Sequence, residues 1–161
     1  MLMESAMSES MKSGLTRRSL FGVMGSVGVG AAMLGASSPA RADAIADLVA
    51  KEMGTGPAGT GSIALGAPDK AENGGLVRIP ISVDHPMEPG NYIESLGVFV
   101  DNNPKPLVAK FRFTPETGTV NFELRIKMAK PSPVRVVAKS NTGKLIQTSK
   151  HVEVAAGGCA G

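Results

Sequence analysis

Apolar and polar residues alternate along much of the chain after residue 60. The clearest case is residues 120–128, where every second residue is apolar and the residues between them are polar or charged. A period of two is typical of a β-strand with one buried face and one solvated face. The same alternation, or a short apolar run, predicts six further strands, at 62–65, 77–83, 94–101, 107–113, 134–138 and 145–154.

Short segments rich in Gly, Pro, Asn and acidic residues separate the predicted strands. They lie at 72–75, 88–91, 102–104, 116–118 and 141–143, and several of these residue types favour turns. About seven short strands separated by such turn segments predict an all-β fold, an immunoglobulin-like antiparallel β-sandwich. A sandwich of this kind has edge strands, and a partner subunit could cover one of them.

A helical pattern precedes the strands. Ile45, Leu48, Val49 and Met53 lie at helical spacing, and Gly54 follows them as a stop. The pattern predicts a short amphipathic N-terminal helix over 43–53, followed by a Gly/Pro/Thr linker over 54–61. The helix, the linker and the strands together form one predicted domain, 43–154.

The N-terminal region has the plan of a bacterial export signal. Arg17 and Arg18 precede a mildly apolar, Gly/Ala-rich run at 21–36, and Ala40-Arg41-Ala42 follows as a cleavage site. These features predict a twin-arginine signal peptide over 1–42, cleaved near Ala42, and a periplasmic mature chain that begins near Asp43. A membrane anchor is the alternative, but the apolar run is short and interrupted by glycines.

Charge and composition exclude several function classes. Of the 17 Lys+Arg and 14 Asp+Glu residues, four and two belong to residues 1–42, which leaves 13 and 12. With this balance, no Trp and one Tyr, the sequence does not favour nucleic-acid binding. It has no cysteine pair or histidine cluster with metal-ligand spacing, so we expect neither a metal nor another cofactor.

The single cysteine, Cys159, lies near the end of a tail of small residues, Ala-Ala-Gly-Gly-Cys-Ala-Gly, at 155–161. Small residues cannot pack a core and glycine has wide backbone freedom, so we expect an exposed and mobile thiol. An extended chain from Val154 would carry it about 17 Å from the folded body. An incidental thiol or an intermolecular disulfide remains an alternative, because an unpaired cysteine in an exported protein invites either pairing or deliberate reactivity.

No catalytic base is expected beside this thiol. His85 lies in a predicted loop and His151 in the last strand, and we expect both to be surface residues outside any catalytic triad. A thiol on a tether without its own base is suited to carrying a group into the active sites of other enzymes. We therefore expect a carrier that is not itself an enzyme.

The C-terminus resembles that of a known family. Gly157-Gly158-Cys159-Ala160-Gly161 is similar to the terminal Gly-Gly-Cys-Gly-Gly of the SoxY family, the sulfur carriers of periplasmic thiosulfate oxidation. The likeness continues in four segments of the body, at 71–74, 83–87, 103–106 and 113–115. Ala160 departs from the family pattern, and its methyl group slightly reduces flexibility and adds width to the tail.

The resemblance implies that Cys159 is the covalent attachment site of thiosulfate-derived sulfur, with Gly157, Gly158, Ala160 and Gly161 as its flexible tether. It further implies a heterodimer with a SoxZ-like subunit. The other implied partners are a c-type cytochrome complex, a sulfate thiohydrolase and a sulfane dehydrogenase. The alternative function is a structural or adhesion β-sandwich whose tail cysteine forms a disulfide between chains. A thiol redox sensor is disfavoured because the chain has no resolving cysteine.

Overall fold

A computed structural model describes residues 39–59 and 61–155. The chain begins with one α-helix, α1, Pro39–Met53, and continues with eight β-strands. A 3-10 turn, Pro115–Thr117, lies between the fifth and sixth strands. The strands are β1 Ser62–Leu65, β2 Lys70–Ala71, β3 Val77–Asp84, β4 Ile93–Val100, β5 Leu107–Arg112, β6 Val120–Ile126, β7 Ser132–Ser140 and β8 Leu145–Val154.

The strands form two sheets that pack face to face. One sheet has the order β1-β3-β6, and the other has the order β2-β8-β7-β4-β5. All pairings are antiparallel except that of β2 with β8, which is parallel. The predicted all-β sandwich with a short N-terminal helix is confirmed.

The core lies between the two sheets and follows from the alternation in the sequence. Along β3 the residues with odd numbers are buried, and Ile79 and Ile81 are at most 1% exposed. They face β4 and β7 residues such as Leu96 and Val136, both 0% exposed. Full burial of one such side chain stabilises the fold by roughly 1.5–3 kcal/mol.

Helix α1 covers part of the outer face of the five-stranded sheet. Met53, 2% exposed, packs against Phe99 and Val137 in a second apolar cluster. Gly97 permits the close approach, because a Cβ atom there would lie 2.8 Å from the Met53 sulfur. A larger residue at this position would force the Met53 or Phe99 side chain to shift.

The helix begins earlier than predicted. Its first residue is Pro39, not Asp43, and proline is favoured in the first turn of a helix. The Arg41 guanidinium donates two hydrogen bonds of 3.0 Å to the carbonyl oxygen of Asp101. The predicted cleavage near Ala42 would thus fall within the helix and remove this contact.

Several strand predictions also need correction. Strand β2 was missed because a two-residue strand shows no alternation. Strand β4 begins one residue before the predicted 94, and β7 spans Ser132–Ser140 where only 134–138 was predicted. Strand β6 ends at Ile126, although Met128 remains buried as the alternation predicts.

Candidate functional site

The predicted attachment residue lies outside the described part of the chain. Cys159 and its neighbours Gly157, Gly158, Ala160 and Gly161 belong to the segment 156–161, so their prediction stays a prediction. The structure does show the point at which this segment joins the folded domain. We call residues 153–155, together with the residues that hold them, the tail root.

The tail root is held by the short strand β2. Lys70 and Ala71 pair in parallel with Glu153 and Val154. The Glu153 amide donates to the carbonyl oxygen of Asp69 over 2.8 Å, and the Ala155 amide donates to that of Ala71 over 2.9 Å. The backbone is therefore fixed through Ala155.

Side-chain packing also holds the tail root in place. Val154 packs on the edge of the main core, and Gly74, which is buried, lies directly against it. A Cβ atom at Gly74 would lie 2.8 Å from Cγ1 of Val154 and 2.4 Å from the carbonyl oxygen of Met128. Glycine is thus required at residue 74 for the turn before β3 to fit under the tail root.

This anchoring shortens the expected reach of the thiol. The sequence placed the last fixed residue at Val154, but the hydrogen bond to Ala71 moves it to Ala155. Cys159 is then the fourth residue after the fixed backbone, and an extended chain of four steps spans at most about 14 Å.

Charges of both signs surround the tail root. Lys150 pairs with Asp69 at 3.0 Å, and His151 lies 2.9 Å from Glu153. Asp69, His151 and Glu153 are exposed, so each contact contributes at most about 1 kcal/mol. The described residues at the root therefore form a mixed surface in which neither sign dominates.

The two histidines occupy different places. His151 is exposed on β8 and pairs with Glu153. His85 is half-buried in the loop after β3, where its Nδ1 lies 2.7 Å from the carbonyl oxygen of Pro86. Each ring is thus engaged by a group at most two residues away along the chain.

Segments that carry the family resemblance have structural roles. Residues 71–74 hold the tail root, a role that the sequence did not suggest. The Asn103 side chain donates to the Lys127 carbonyl oxygen over 2.7 Å and accepts from the Ala129 amide over 3.0 Å, fixing the β6–β7 loop. The Met87 sulfur lies 3.4 Å from the Ile93 amide that donates to it.

A cleft of about 450 Å³ lies beside the tail root and includes Ala71 and Glu72 in its lining. Within 39–59 and 61–155, no group of three or more His, Cys, Asp or Glu residues could hold a metal ion. The one helix in these ranges is too short and too polar to cross a membrane.

Comparison with protein families gives a match that ends at the predicted attachment residue. The family model described as sulfur oxidation protein SoxY matches residues 49–159. The chain belongs to the SoxY family. The match includes the part of SoxY that forms the two sheets and continues through the segment that follows the tail root.

Solved structures agree with this assignment. The sulfur carrier protein SoxY from Chlorobium limicola f thiosulfatophilum is 28% identical, with a TM-score of 0.60. The alignment covers 71% of this SoxY chain and 99% of that one. A comparison with curated protein sequences finds no match.

A variant superoxide reductase (neelaredoxin) from Ignicoccus hospitalis is also similar. It is 21% identical with a TM-score of 0.50, over 60% of this chain and 82% of that one. At this identity the likeness shows a common fold alone. The two proteins therefore share a β-sandwich, and a shared fold does not by itself indicate a shared function.

Proposed function

We propose that this chain is a covalent sulfur carrier of thiosulfate oxidation, with Cys159 as the residue that bears the sulfur. The observation that carries the proposal is the SoxY family match, which extends to Cys159, the single cysteine of the chain. The similar SoxY from Chlorobium is named a sulfur carrier protein. In this role the chain presents the thiol and its bound sulfur, and partner enzymes perform the chemistry.

The first proposed step couples thiosulfate to the thiol. The Cys159 thiol loses its proton, a sulfur–sulfur bond forms to the outer sulfur of thiosulfate, and two electrons leave to a c-type cytochrome complex. The product is a cysteine S-thiosulfonate, Cys–S–S–SO₃⁻. The cytochrome complex supplies the electron acceptor, so the carrier itself needs none.

The second proposed step is hydrolysis. Water attacks the sulfur of the terminal sulfone, the bond between it and the adjacent sulfur breaks, and sulfate leaves with one proton of the water while the other stays on the retained sulfur. The cysteine retains one sulfur as a persulfide, which a sulfane dehydrogenase would oxidise further. A sulfate thiohydrolase would supply the base for this step.

The anchored tail root supports this division of labour. Backbone fixed through Ala155 gives the attachment residue a defined origin, and four residues allow it about 14 Å of reach. A tail of small residues is also narrow enough to enter an active-site channel. We propose that the carrier works in the periplasm as a heterodimer with a SoxZ-like subunit, after export by the twin-arginine route.

Intact-mass measurement of the protein from thiosulfate-grown cells tests the proposal. We expect adducts of thiosulfate-derived sulfur that a reductant removes and that the Cys159→Ser variant lacks. An Ala160→Gly variant, which restores the family residue and keeps the thiol, is the matched control and should carry the same adducts. Stoichiometric disulfide dimers without sulfur adducts, together with thiosulfate oxidation by Cys159→Ser, would contradict the proposal and favour a structural sandwich.

A further inference from the structure

Three phenylalanines form a cluster at one side of the sandwich. The ring centroids of Phe111 and Phe122 are 4.9 Å apart, and Phe113 lies 6.3 Å from Phe111 and 6.2 Å from Phe122. All three side chains belong to half-buried residues at the margin of the main core. Aromatic rings that retain exposure at the mouth between two sheets offer an apolar contact surface.

The backbone beside this cluster is available for pairing. Strand β5 ends the five-stranded sheet and β6 ends the three-stranded sheet. Over residues 39–59 and 61–155, no strand pairs with the outer edge of either. A free edge presents backbone amides and carbonyls that can accept another strand.

The opposite side of the sandwich has much shorter terminal strands. There β1 has four residues and β2 has two, whereas β5 has six and β6 has seven. Short edge strands are one means by which proteins avoid unwanted pairing. The β5–β6 side therefore differs from the other side in both edge length and aromatic content.

The positive charge along β5 favours an acidic partner over a second copy of this chain. Residues 102–115 contain Lys105, Lys110 and Arg112 and no acidic residue. Lys110 is partly compensated by Glu52 at 3.5 Å, while Lys105 and Arg112 are exposed. An antiparallel pair of two β5 strands centred on Phe111 would place Lys110 opposite Arg112, and like charges in that position are destabilising.

We infer that the β5–β6 side is the docking surface for an acidic partner subunit. The partner adds a strand along β5, with acidic side chains near Lys105 and Arg112 and an apolar side chain against the three phenylalanines. This inference rests on the proposed function only for the identity of the partner, a SoxZ-like subunit. It assigns the contact surface from the edges, the rings and the charges.

The position of this surface suits a carrier. Strand β8, which bears the tail root, is separated from β5 by β7 and β4. Strands in a sheet lie about 4.8 Å apart, so the docked strand, four steps from β8, lies roughly 19 Å from it. A subunit bound at β5 leaves the tail root clear for the enzymes that use the thiol.

Hydrogen exchange of the full chain, alone and co-produced with the SoxZ-like subunit of the same organism, tests the inference. We expect the partner to slow exchange in β5 and β6 and to leave β1 and β2 unchanged. Arg112→Glu should weaken the complex about tenfold or more, because it places like charge against the acidic partner. Lys144→Glu, the same charge change at an exposed turn between β7 and β8, should change affinity by less than about twofold.

The outcomes separate the two proposals. A stable complex in which the protected strands lie elsewhere, a dimer of this chain paired through β5, or no complex at all would overturn the inference. None of these results bears on sulfur adducts at Cys159. Conversely, a protein without adducts that still docks through β5 and β6 would overturn the carrier function and retain the docking surface.

Discussion

The backbone amide of Ala155 donates a hydrogen bond of 2.9 Å to the carbonyl oxygen of Ala71. This contact joins the end of β8 to β2, which precedes it by about half of the chain. The segment that bears Cys159 therefore starts from a point held by two parts of the fold. The stability of this anchoring point depends on residues that lie far from it in the sequence.

Gly74→Ala should destabilise the domain. The added Cβ atom would meet the Met128 carbonyl oxygen at 2.4 Å and Val154 at 2.8 Å, and such overpacking costs about 1–3 kcal/mol. Urea unfolding measures the loss. Gly75→Ala is the matched control, since its Cβ would contact the movable Asn73 side chain at 3.0 Å, and a Gly74→Ala variant as stable as this control would contradict the prediction.

Asp101→Ala should lower the free energy of unfolding by about 1–3 kcal/mol, less than for a fully buried pair because Arg135 is partly exposed. Asp101 lies 3.1 Å from Arg135, and their side chains are 12% and 30% exposed. Removing the carboxylate leaves the Arg135 guanidinium partly desolvated without its partner.

The exposed pair of Arg78 and Glu123 provides the comparison for that measurement. Its atoms are 3.5 Å apart and its side chains are 60% and 40% exposed. Arg78→Ala should therefore cost less than about 1 kcal/mol. Equal losses for Arg78→Ala and Asp101→Ala would show that burial of the Asp101 pair has no energetic effect.

Export should depend on the paired arginines. Replacing both Arg17 and Arg18 with lysine should retain the precursor inside the cell, because the twin-arginine route reads that pair, whereas Lys12→Arg should not.

The mass of the exported chain should place its first residue near Asp43. An exported chain that begins before Pro39 would refute the predicted cleavage site and preserve the whole helix.

The sequence predicted best those elements whose packing is visible in local periodicity. Strand β3 spans Val77–Asp84, one residue longer than the alternation predicts, because the alternating residues Val77, Ile79, Ile81 and Val83 all face the core. The alternation overestimated β6, since Met128 continues the inward pattern after the pairing with β3 has ended at Ile126. Periodicity thus reports which face is buried more reliably than where hydrogen bonding stops.

Long-range pairing was not accessible in the same way. Strand β2 exists because residues 69–71 meet the end of β8, and nothing local to Lys70 and Ala71 indicates this partner. The inward direction of Phe111, Phe113 and Phe122 follows from alternation, but their meeting between two free edges follows from strand order. The prediction of Cys159 as the attachment residue rests on composition and position near the terminus, and it stays a prediction.

Strand β8 is fastened at both ends on its outer side. Near its start, Gly59 and Pro57 exchange hydrogen bonds of 2.8 and 2.9 Å with the backbone of Leu145, and near its end residues 69–71 hold Glu153 and Ala155. On the other side it pairs with β7 from residue 145 to residue 152. Tension applied to the tail would therefore load the ladder with β7 in shear, while the short contacts at the two ends hold the other flank of the strand.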